Sequence, residues 1–216
     1  MNTLSNETIP TTDRPDSILV VGICGSLRQT SYTRMALKIA LKGAAESGAR
    51  TRLIDLREYG LVFCHGGDDA TYPPDVFRLR EEVGAAQGII LGTPEYHGGV
   101  SGVLKNALDL MGFEQFEGKL VGLIGVSGGT MGAVNALNSL RAVGRSLHAW
   151  VIPEQVLIPQ SSKQFTPDGQ AINPALAARL KEVGRQVARF AYLHHSTRAR
   201  EFLRLWEAAP ENPGGE

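Results

Sequence analysis

Two rhythms of apolar residues alternate along this chain. Runs of strand length occupy Ile18–Cys24, Arg50–Leu56, Gly88–Thr93, Lys119–Val126 and Ala149–Pro159, mostly apolar except for Arg50–Leu56, whose apolar residues gather at its end. Between them apolar residues recur every three or four positions, which predicts helices over Thr33–Glu46, Phe77–Gln87, Ser101–Met111, a stretch from Gly132 to about Ser146, and a last helix capped by Asn173 and reaching about His195. Within Ser101–Met111, Val103, Leu104, Ala107, Leu108 and Met111 share one face. Pro153 interrupts the fifth strand and predicts a break or an edge position there. Thr166-Pro167-Asp168-Gly169 is a turn signal. Residues 1–16 are polar with Pro10 and Pro15 and read as a disordered leader; Ser17–His195 reads as one domain. The tail, residues 196–216, is amphipathic through Phe202, Leu203, Leu205 and Trp206 and then turns to Pro and Gly, so it either docks on a partner subunit or frays.

Strands alternate with helices, and apart from the second the strands are apolar nearly throughout, so both faces of the sheet are covered. That is the signature of a parallel α/β sheet. Such sheets bind ligands beyond the carboxyl ends of their strands, where strand order reverses. Three glycine-bearing loops fall there: Gly25–Ser31, Pro94–Gly99 and Ser127–Gly132. The first is built for an anion. Gly25 permits a tight turn, the N–H groups of a helix N-terminus follow, and Ser26, Thr30, Ser31 and Arg28 supply neutral and charged donors. Ser26 and Ser31 also suit the plainer duties of turning the chain and capping the helix.

Composition narrows the partners. Lys plus Arg and Asp plus Glu number 22 each among 216 residues, a balance that gives no support for nucleic acid or an anionic membrane. No apolar run approaches the roughly 20 residues of a membrane helix, so no membrane insertion is expected. The two cysteines, Cys24 and Cys64, make neither a disulfide framework nor a zinc pattern, which points to a reducing cytoplasm. Cys24 reads as a buried strand residue rather than an activated thiol, and His65 with Asp68 and Asp69 as a solvated loop rather than a metal site. Lys105 and Asp109 read as an exposed helix pair. Asn106 is placed to brace the loop preceding its helix.

Gly25-Ser26-Leu27-Arg28 with Ser31, followed by the long run Pro94-Glu95-Tyr96-His97-Gly98-Gly99-Val100-Ser101-Gly102-Val103-Leu104-Lys105-Asn106-Ala107-Leu108-Asp109, resembles the NADPH-dependent FMN reductase family of flavodoxin-like proteins, which includes quinone, azo-dye and chromate reductases. The resemblance covers about Ser17 to His195. It implies a three-layer sandwich around a five-stranded parallel sheet of order 2-1-3-4-5, with bound FMN and NADPH or NADH as electron donor. Ser26, Arg28, Ser31 and Thr33 match positions that hold the flavin phosphate. Pro94, Glu95, Tyr96 and His97, with Gly98, match the loop along the isoalloxazine, and Ser127, Gly128 and Gly129 the loop on its pyrimidine side. Many members carry Asn where this chain has His97. In this reading hydride passes from the nicotinamide through flavin N5 to a small-molecule acceptor in a ping-pong cycle, and the flavin, not a side chain, is catalytic. The resemblance also implies a homodimer or homotetramer, for which the apolar face of Ser101–Met111 and the following helix offer surface.

Three other readings compete. Gly125-Val126-Ser127-Gly128-Gly129 matches the G-x-S-x-G nucleophile elbow, and Asp168 with His194 or His195 completes a serine-hydrolase triad in the right chain order. Asp55 ends the second strand where a nicotinamide dehydrogenase would hold a ribose, although the first loop lacks G-x-G-x-x-G. A non-enzymatic electron carrier would share the flavin loops, but such carriers are strongly acidic and this chain is neutral.

Overall fold

The computed structural model describes Arg14 and residues 17–208, so the leader expected over 1–16 and the end of the tail lie outside the described residues. Strands β1 (Leu19–Cys24), β2 (Arg50–Asp55), β3 (Gly88–Tyr96), β5 (Leu120–Val126) and β6 (Trp150–Ile158) pair in parallel in the order β2-β1-β3-β5-β6. A two-residue strand β4 (Gly99–Val100) adds antiparallel to the end of β3. Setting β4 aside, this is the expected order 2-1-3-4-5. The helices are α1 (Tyr32–Glu46), α2 (Pro74–Gly84), α3 (Gly102–Asp109), the short α4 (Phe113–Phe116), α5 (Val134–Ser146), α6 (Pro174–His195) and α7 (Thr197–Glu207).

Alternation along each strand decides the layers. Val20, Cys24, Ile90, Ile124 and Val156 point into the core shared with α1 and α6, while Val21, Ile23, Ile89, Leu91 and Leu123 point into the core shared with α2, α3 and α5. Burial of a Leu or Ile side chain is worth about 1.5–3 kcal/mol, and α1 buries Leu37 and Leu41, with Ala40 and Ala44, on its inward side, where Leu37 and Leu41 meet Gly22 of β1. Helices α1 and α6 meet through Gly43 and Gly184, where a Cβ would strike the opposite backbone.

Two expectations shift. Helix α2 begins at Pro74, three residues before the predicted start, because a proline at the first helical position spends no needed N–H. Helix α3 does turn one apolar face away from water, but toward its own sheet: Leu104, Ala107, Leu108 and Met111 are buried in the protomer's core. The following helix α5 likewise buries Ala136, Leu137 and Leu140. The face offered for a partner subunit is therefore already spent.

Strand β6 is an edge strand with a bulge, as Pro153 predicts. Val121 pairs Val151 and Leu123 pairs Gln155, so the register shifts across the proline. Arg141 of α5 fills the irregularity, donating to the carbonyls of Ile152 and Pro153 and to Gln155 Oε1.

Candidate functional site

The first loop leaves β1 between two crowded neighbours. A Cβ on Gly25 would lie 2.7 Å from Leu104 Cβ and 3.0 Å from the Gly92 carbonyl oxygen, so close approach of α3 and β3, rather than a positive φ, demands glycine here. Ser31 caps α1, its Oγ accepting from Arg34 N–H at 3.2 Å, and Ser26 Oγ accepts from Arg28 N–H. Both plainer duties of these serines are thus real. They leave donors over: among the described residues no protein acceptor takes the backbone N–H of Leu27, Gln29, Thr30, Tyr32 or Thr33. A concave run of orphan N–H groups at a helix N-terminus is an anion cradle. Arg28 is exposed at its rim, whereas Thr33 is buried, its side chain directed toward Gly92 of β3.

Sequence reasoning missed what fixes the loop's shape. Arg34, in the first turn of α1, donates to the carbonyls of Ser26, Arg28 and Gln29 and pairs with Asp55 at 2.7 Å. Arg57 holds the same carboxylate at 2.8 Å. Asp55 is buried, which by itself raises its pKa, yet the hydrogen bonds from Arg57 and Arg34 outweigh burial and hold the carboxyl below the usual range. A cation in the first turn opposes the helix dipole, and that mismatch, facing an acid at a strand end, was the signal available. Asp55 is committed to this clamp and is not free for a ribose.

The second loop is shorter than the sequence pattern suggests because β3 runs on to Tyr96. It turns back through His97 (φ 51°) and Gly98 (φ 74°), with Tyr96 paired to Gly99 and Glu95 to Val100. Two positive φ values in a two-residue hairpin make a type I′ turn. Thr93 Oγ1 accepts from Ser101 N–H at 3.1 Å, and Ser101 Oγ donates to the Gly25 carbonyl at 2.7 Å, so the first two loops are bonded to each other. Glu95 Oε2 accepts from Ala136 N–H at 2.9 Å. Helix α5 has no side-chain cap of its own, and a carboxylate from the loop takes that place.

Ser127, Gly128 and Gly129 form the third loop. Ser127 donates its N–H to the Ile158 carbonyl and accepts from Ser161 N–H, while the Gly129 carbonyl accepts from Gln160 N–H, so the loop is pinned to the end of β6. Nothing lies within 4 Å of a Cβ placed on Gly128, which leaves an open backbone surface facing outward. The three predicted loops therefore do share one edge of the sheet, with Pro94 buried at the end of the β3–β5 ladder between them. Beside Tyr96 opens an apolar cavity of about 430 Å³ walled by Leu27, Leu56, Tyr59, Leu61, Phe63 and Val103.

Other candidates settle plainly. Burial pushes the Cys24 thiol up, so it is not an activated nucleophile. His65 stacks on Tyr72, Asp68 caps the one-turn 3-10 helix Asp69–Thr71, and Asp69 pairs with Arg80; no metal-binding cluster occurs among the described residues. Lys105 and Asp109 are an exposed pair at 2.6 Å. Asn106 does brace a loop, but a different one: it bonds Val62 and Cys64 in the long segment after β2.

The serine-hydrolase reading fails on distance. Ser127 sits at the carboxyl end of β5, where its Oγ accepts from Gly129 N–H. His194 packs on Trp150, the first residue of β6, and His195 adjoins Arg200. A seven-residue strand separates the two ends of the sheet by about 20 Å at the usual strand rise, so no imidazole of this pair reaches Ser127.

Relatives agree with this geometry. The NADPH-dependent FMN reductase family matches residues 18–163. An NAD(P)H-dependent FMN reductase of Pseudomonas aeruginosa is 41% identical over 98 residues, 44% of this chain and 50% of that protein. An FMN-dependent NADPH-azoreductase of Staphylococcus aureus is 45% identical over 91 residues, 42% of this chain and 48% of its own. The chain thus spans about half the length of these relatives. An NAD(P)H-dependent FAD/FMN reductase of Geobacillus thermodenitrificans is 25% identical over 68% of this chain and 77% of that protein. Among solved structures, a flavoenzyme NAD(P)H:(acceptor) oxidoreductase from Paracoccus denitrificans superposes with a TM-score of 0.67 at 24% identity, over 82% of this chain and 98% of that one. No helix among the described residues is long and apolar enough to cross a membrane. With the match extending from the first strand past the third loop, the chain belongs to the NADPH-dependent FMN reductase family.

Proposed function

We propose that this protein is an FMN-dependent NAD(P)H oxidoreductase that reduces a quinone, an azo compound, free flavin or a similar acceptor by a ping-pong cycle. One observation carries the reading: the orphan N–H groups of Leu27, Gln29, Thr30, Tyr32 and Thr33 open on the same sheet edge as two glycine-bearing loops that leave backbone exposed. An anion cradle beside open backbone suits a phosphorylated ligand with a flat ring, and the residues present fit FMN.

In this assignment Ser26, Arg28, Ser31 and the N–H groups through Thr33 hold the phosphate dianion. Pro94, Glu95, Tyr96, His97 and Gly98 line one side of the ring, and Ser127, Gly128 and Gly129 line its pyrimidine side. FMN, when bound, supplies the hydride-accepting N5. The chain's own work is to orient the ring and to place backbone donors where negative charge gathers. The apolar cavity beside Tyr96 favours a flat, weakly polar acceptor over a small inorganic anion. The free thiols of Cys24 and Cys64 suit a reducing cytoplasm, and the exposed Leu27, Phe63 and Tyr96 around the cavity suit cover by a second subunit in a homodimer or homotetramer.

The test is the visible spectrum of the protein after FMN is added and the excess removed, followed anaerobically by NADPH and then NADH. Retained flavin bands that bleach directly with one nicotinamide are the expected result and name the donor. Flavin that is retained but bleaches only with a partner reductase would make the protein a carrier. No retained flavin, with no FMN-dependent oxidation of NAD(P)H, overturns the reading.

A further inference from the structure

Between β2 and α2 the chain carries a long segment whose middle, residues 61–65, walls the apolar cavity through Leu61 and Phe63. The segment is anchored on both sides of that middle. Gly60 N–H donates to Asp75 Oδ2 at 2.7 Å, and Asp69 pairs with Arg80 at 2.7 Å. Among the described residues, the hydrogen bonds that reach residues 61–65 from outside the segment come from Asn106 of α3 alone.

The grip of Asn106 is bidentate. Its Oδ1 accepts from Cys64 N–H at 3.0 Å and its Nδ2 donates to the Val62 carbonyl at 2.9 Å, so one carboxamide holds the backbone on either side of Phe63. Phe63 is 85% exposed and takes no part in the core. Its place on the cavity wall therefore rests on the backbone that Asn106 fixes. Asn106 is itself well anchored: it is half-buried on α3 beside the buried Ala107, and the cap of that helix, Ser101, donates to the Gly25 carbonyl. One short helix thus links the anion loop to the segment that walls the cavity. The residue type matters, because a carboxamide offers a donor and an acceptor at one planar tip, which neither aspartate nor alanine does.

Resting on the flavin assignment above, we propose that Asn106 is a positioning residue for the electron acceptor, acting through Phe63. By latching Val62 and Cys64 it keeps the Phe63 ring as a wall of the cavity. A flat aromatic acceptor such as a naphthoquinone gains an aromatic contact from that wall, whereas a small hydrophilic acceptor such as ferricyanide gains nothing from it.

The experiment compares the FMN-loaded wild type with Asn106→Ala, Asn106→Asp, Phe63→Ala and the double variant Phe63→Ala/Asn106→Ala, by amide hydrogen exchange and by steady-state kinetics with both acceptors. Asn106→Asp keeps the shape and the acceptor for Cys64 N–H while losing the donor to Val62, so it tests the latch even where alanine harms folding. In Asn106→Ala the Cys64 amide should exchange about tenfold faster or more, with the Gly60 amide, held by Asp75, unchanged. KM for the naphthoquinone should rise about tenfold, the scale of one aromatic contact, with kcat and FMN affinity within about twofold and ferricyanide reduction unaltered. Asn106→Asp should raise the same KM. The double variant should be no worse than Phe63→Ala, since both changes remove one wall. Effects that add would mean that Asn106 touches the acceptor itself, and they overturn the proposal. So does faster exchange with an unchanged KM, or a rise in KM for NADPH in place of the quinone. Unchanged exchange at Cys64 overturns the latch and leaves the flavin assignment standing. A wild type that retains no flavin overturns that assignment and the acceptor role drawn from it.

Discussion

His97 sits where backbone conformation selects the residue. Its φ of 51° lies in the left-handed region, which Asn, Asp and His tolerate better than other non-glycine residues, and Gly98 follows with φ 74°. Asn would meet the same backbone requirement as the His of this chain, and the imidazole is exposed. His97→Asn should leave stability within about 0.5 kcal/mol of wild type, since Asn-Gly is the favoured type I′ pair, and should keep FMN affinity. His97→Val, β-branched and strained at this φ, should cost about 1–2 kcal/mol. Denaturant titration with FMN binding measures both, and an Asn variant that folds normally but loses FMN would return a contact role to the imidazole. Arg28 makes the complementary case. It is exposed at the cradle's rim, and in contrast to Arg34 its side chain has no protein partner among the described residues. Arg28→Ala should weaken FMN binding about tenfold or more, as expected for a lost charge-assisted hydrogen bond, with no change in thermal midpoint.

Asp55 gives the site its pH dependence. Its carboxyl titrates lower in the folded protein than in the unfolded chain, so the folded state binds fewer protons and the clamp stabilises the protein fully above the unfolded carboxylate pKa. That stability is lost as pH falls through the lower folded value. Urea midpoints should therefore decline below about pH 4, and Asp55→Asn should be less stable at neutral pH with a shallower acid decline. Parallel acid limbs in the two proteins would remove Asp55 from the account.

Among the elements, α5 depends on a residue that does not belong to it. Its N-terminus lacks a side-chain cap, and Glu95 from the end of β3 accepts the Ala136 N–H in place of one. The bond ties the second loop to the helix that follows the third loop, fixing the spacing between the two proposed walls of the flavin ring. Glu95→Ala should cost about 1 kcal/mol, the usual worth of a cap, and should weaken FMN more than it weakens binding of inorganic phosphate at the first loop. Glu95→Gln, which still accepts through Oε1, should recover most of the stability. Equal loss of FMN and phosphate affinity in Glu95→Ala would mean that the damage is general and not confined to the ring.

How far the chain could be read in advance follows from what each feature depends on. Strand and helix positions were legible because apolar periodicity is local, and Pro153 announced its own irregularity. Gly25, Ser26, Ser31 and the glycines of the other loops were legible because anion cradles and open backbone need particular residue types close together. Arg34–Asp55, Glu95–Ala136 and Asn106–Val62 were not, since each joins residues more than twenty positions apart that only the fold brings together. The misplaced partner surface has the same origin: an apolar helix face looks identical whether it meets its own sheet or another chain.

At the scale of the whole molecule, the question is what covers the mouth of the site. Leu104, Ala107 and Leu108 are buried, so α3 has no apolar face left to offer. Exposed apolar residues occur in several places, α7 among them, and one group lies around the cavity and the third loop: Phe63 is 85% exposed, Leu27 53% and Tyr96 47%, and Met131 in the third loop is 80% exposed. Single exposed apolar residues are ordinary, but a group of them beside an apolar cavity is a surface that water leaves unsatisfied. Light scattering on a sizing column should therefore give the mass of two or four chains. Phe63→Ser, which removes the most exposed of these residues and disturbs no core contact, should shift the equilibrium toward monomer on dilution. If the acceptor site is completed across the interface, that variant should keep FMN while its KM for a quinone rises, because the anion cradle lies within one chain and the cavity at its edge. A wild-type monomer that reduces quinones at full rate would show that a single chain closes the site alone.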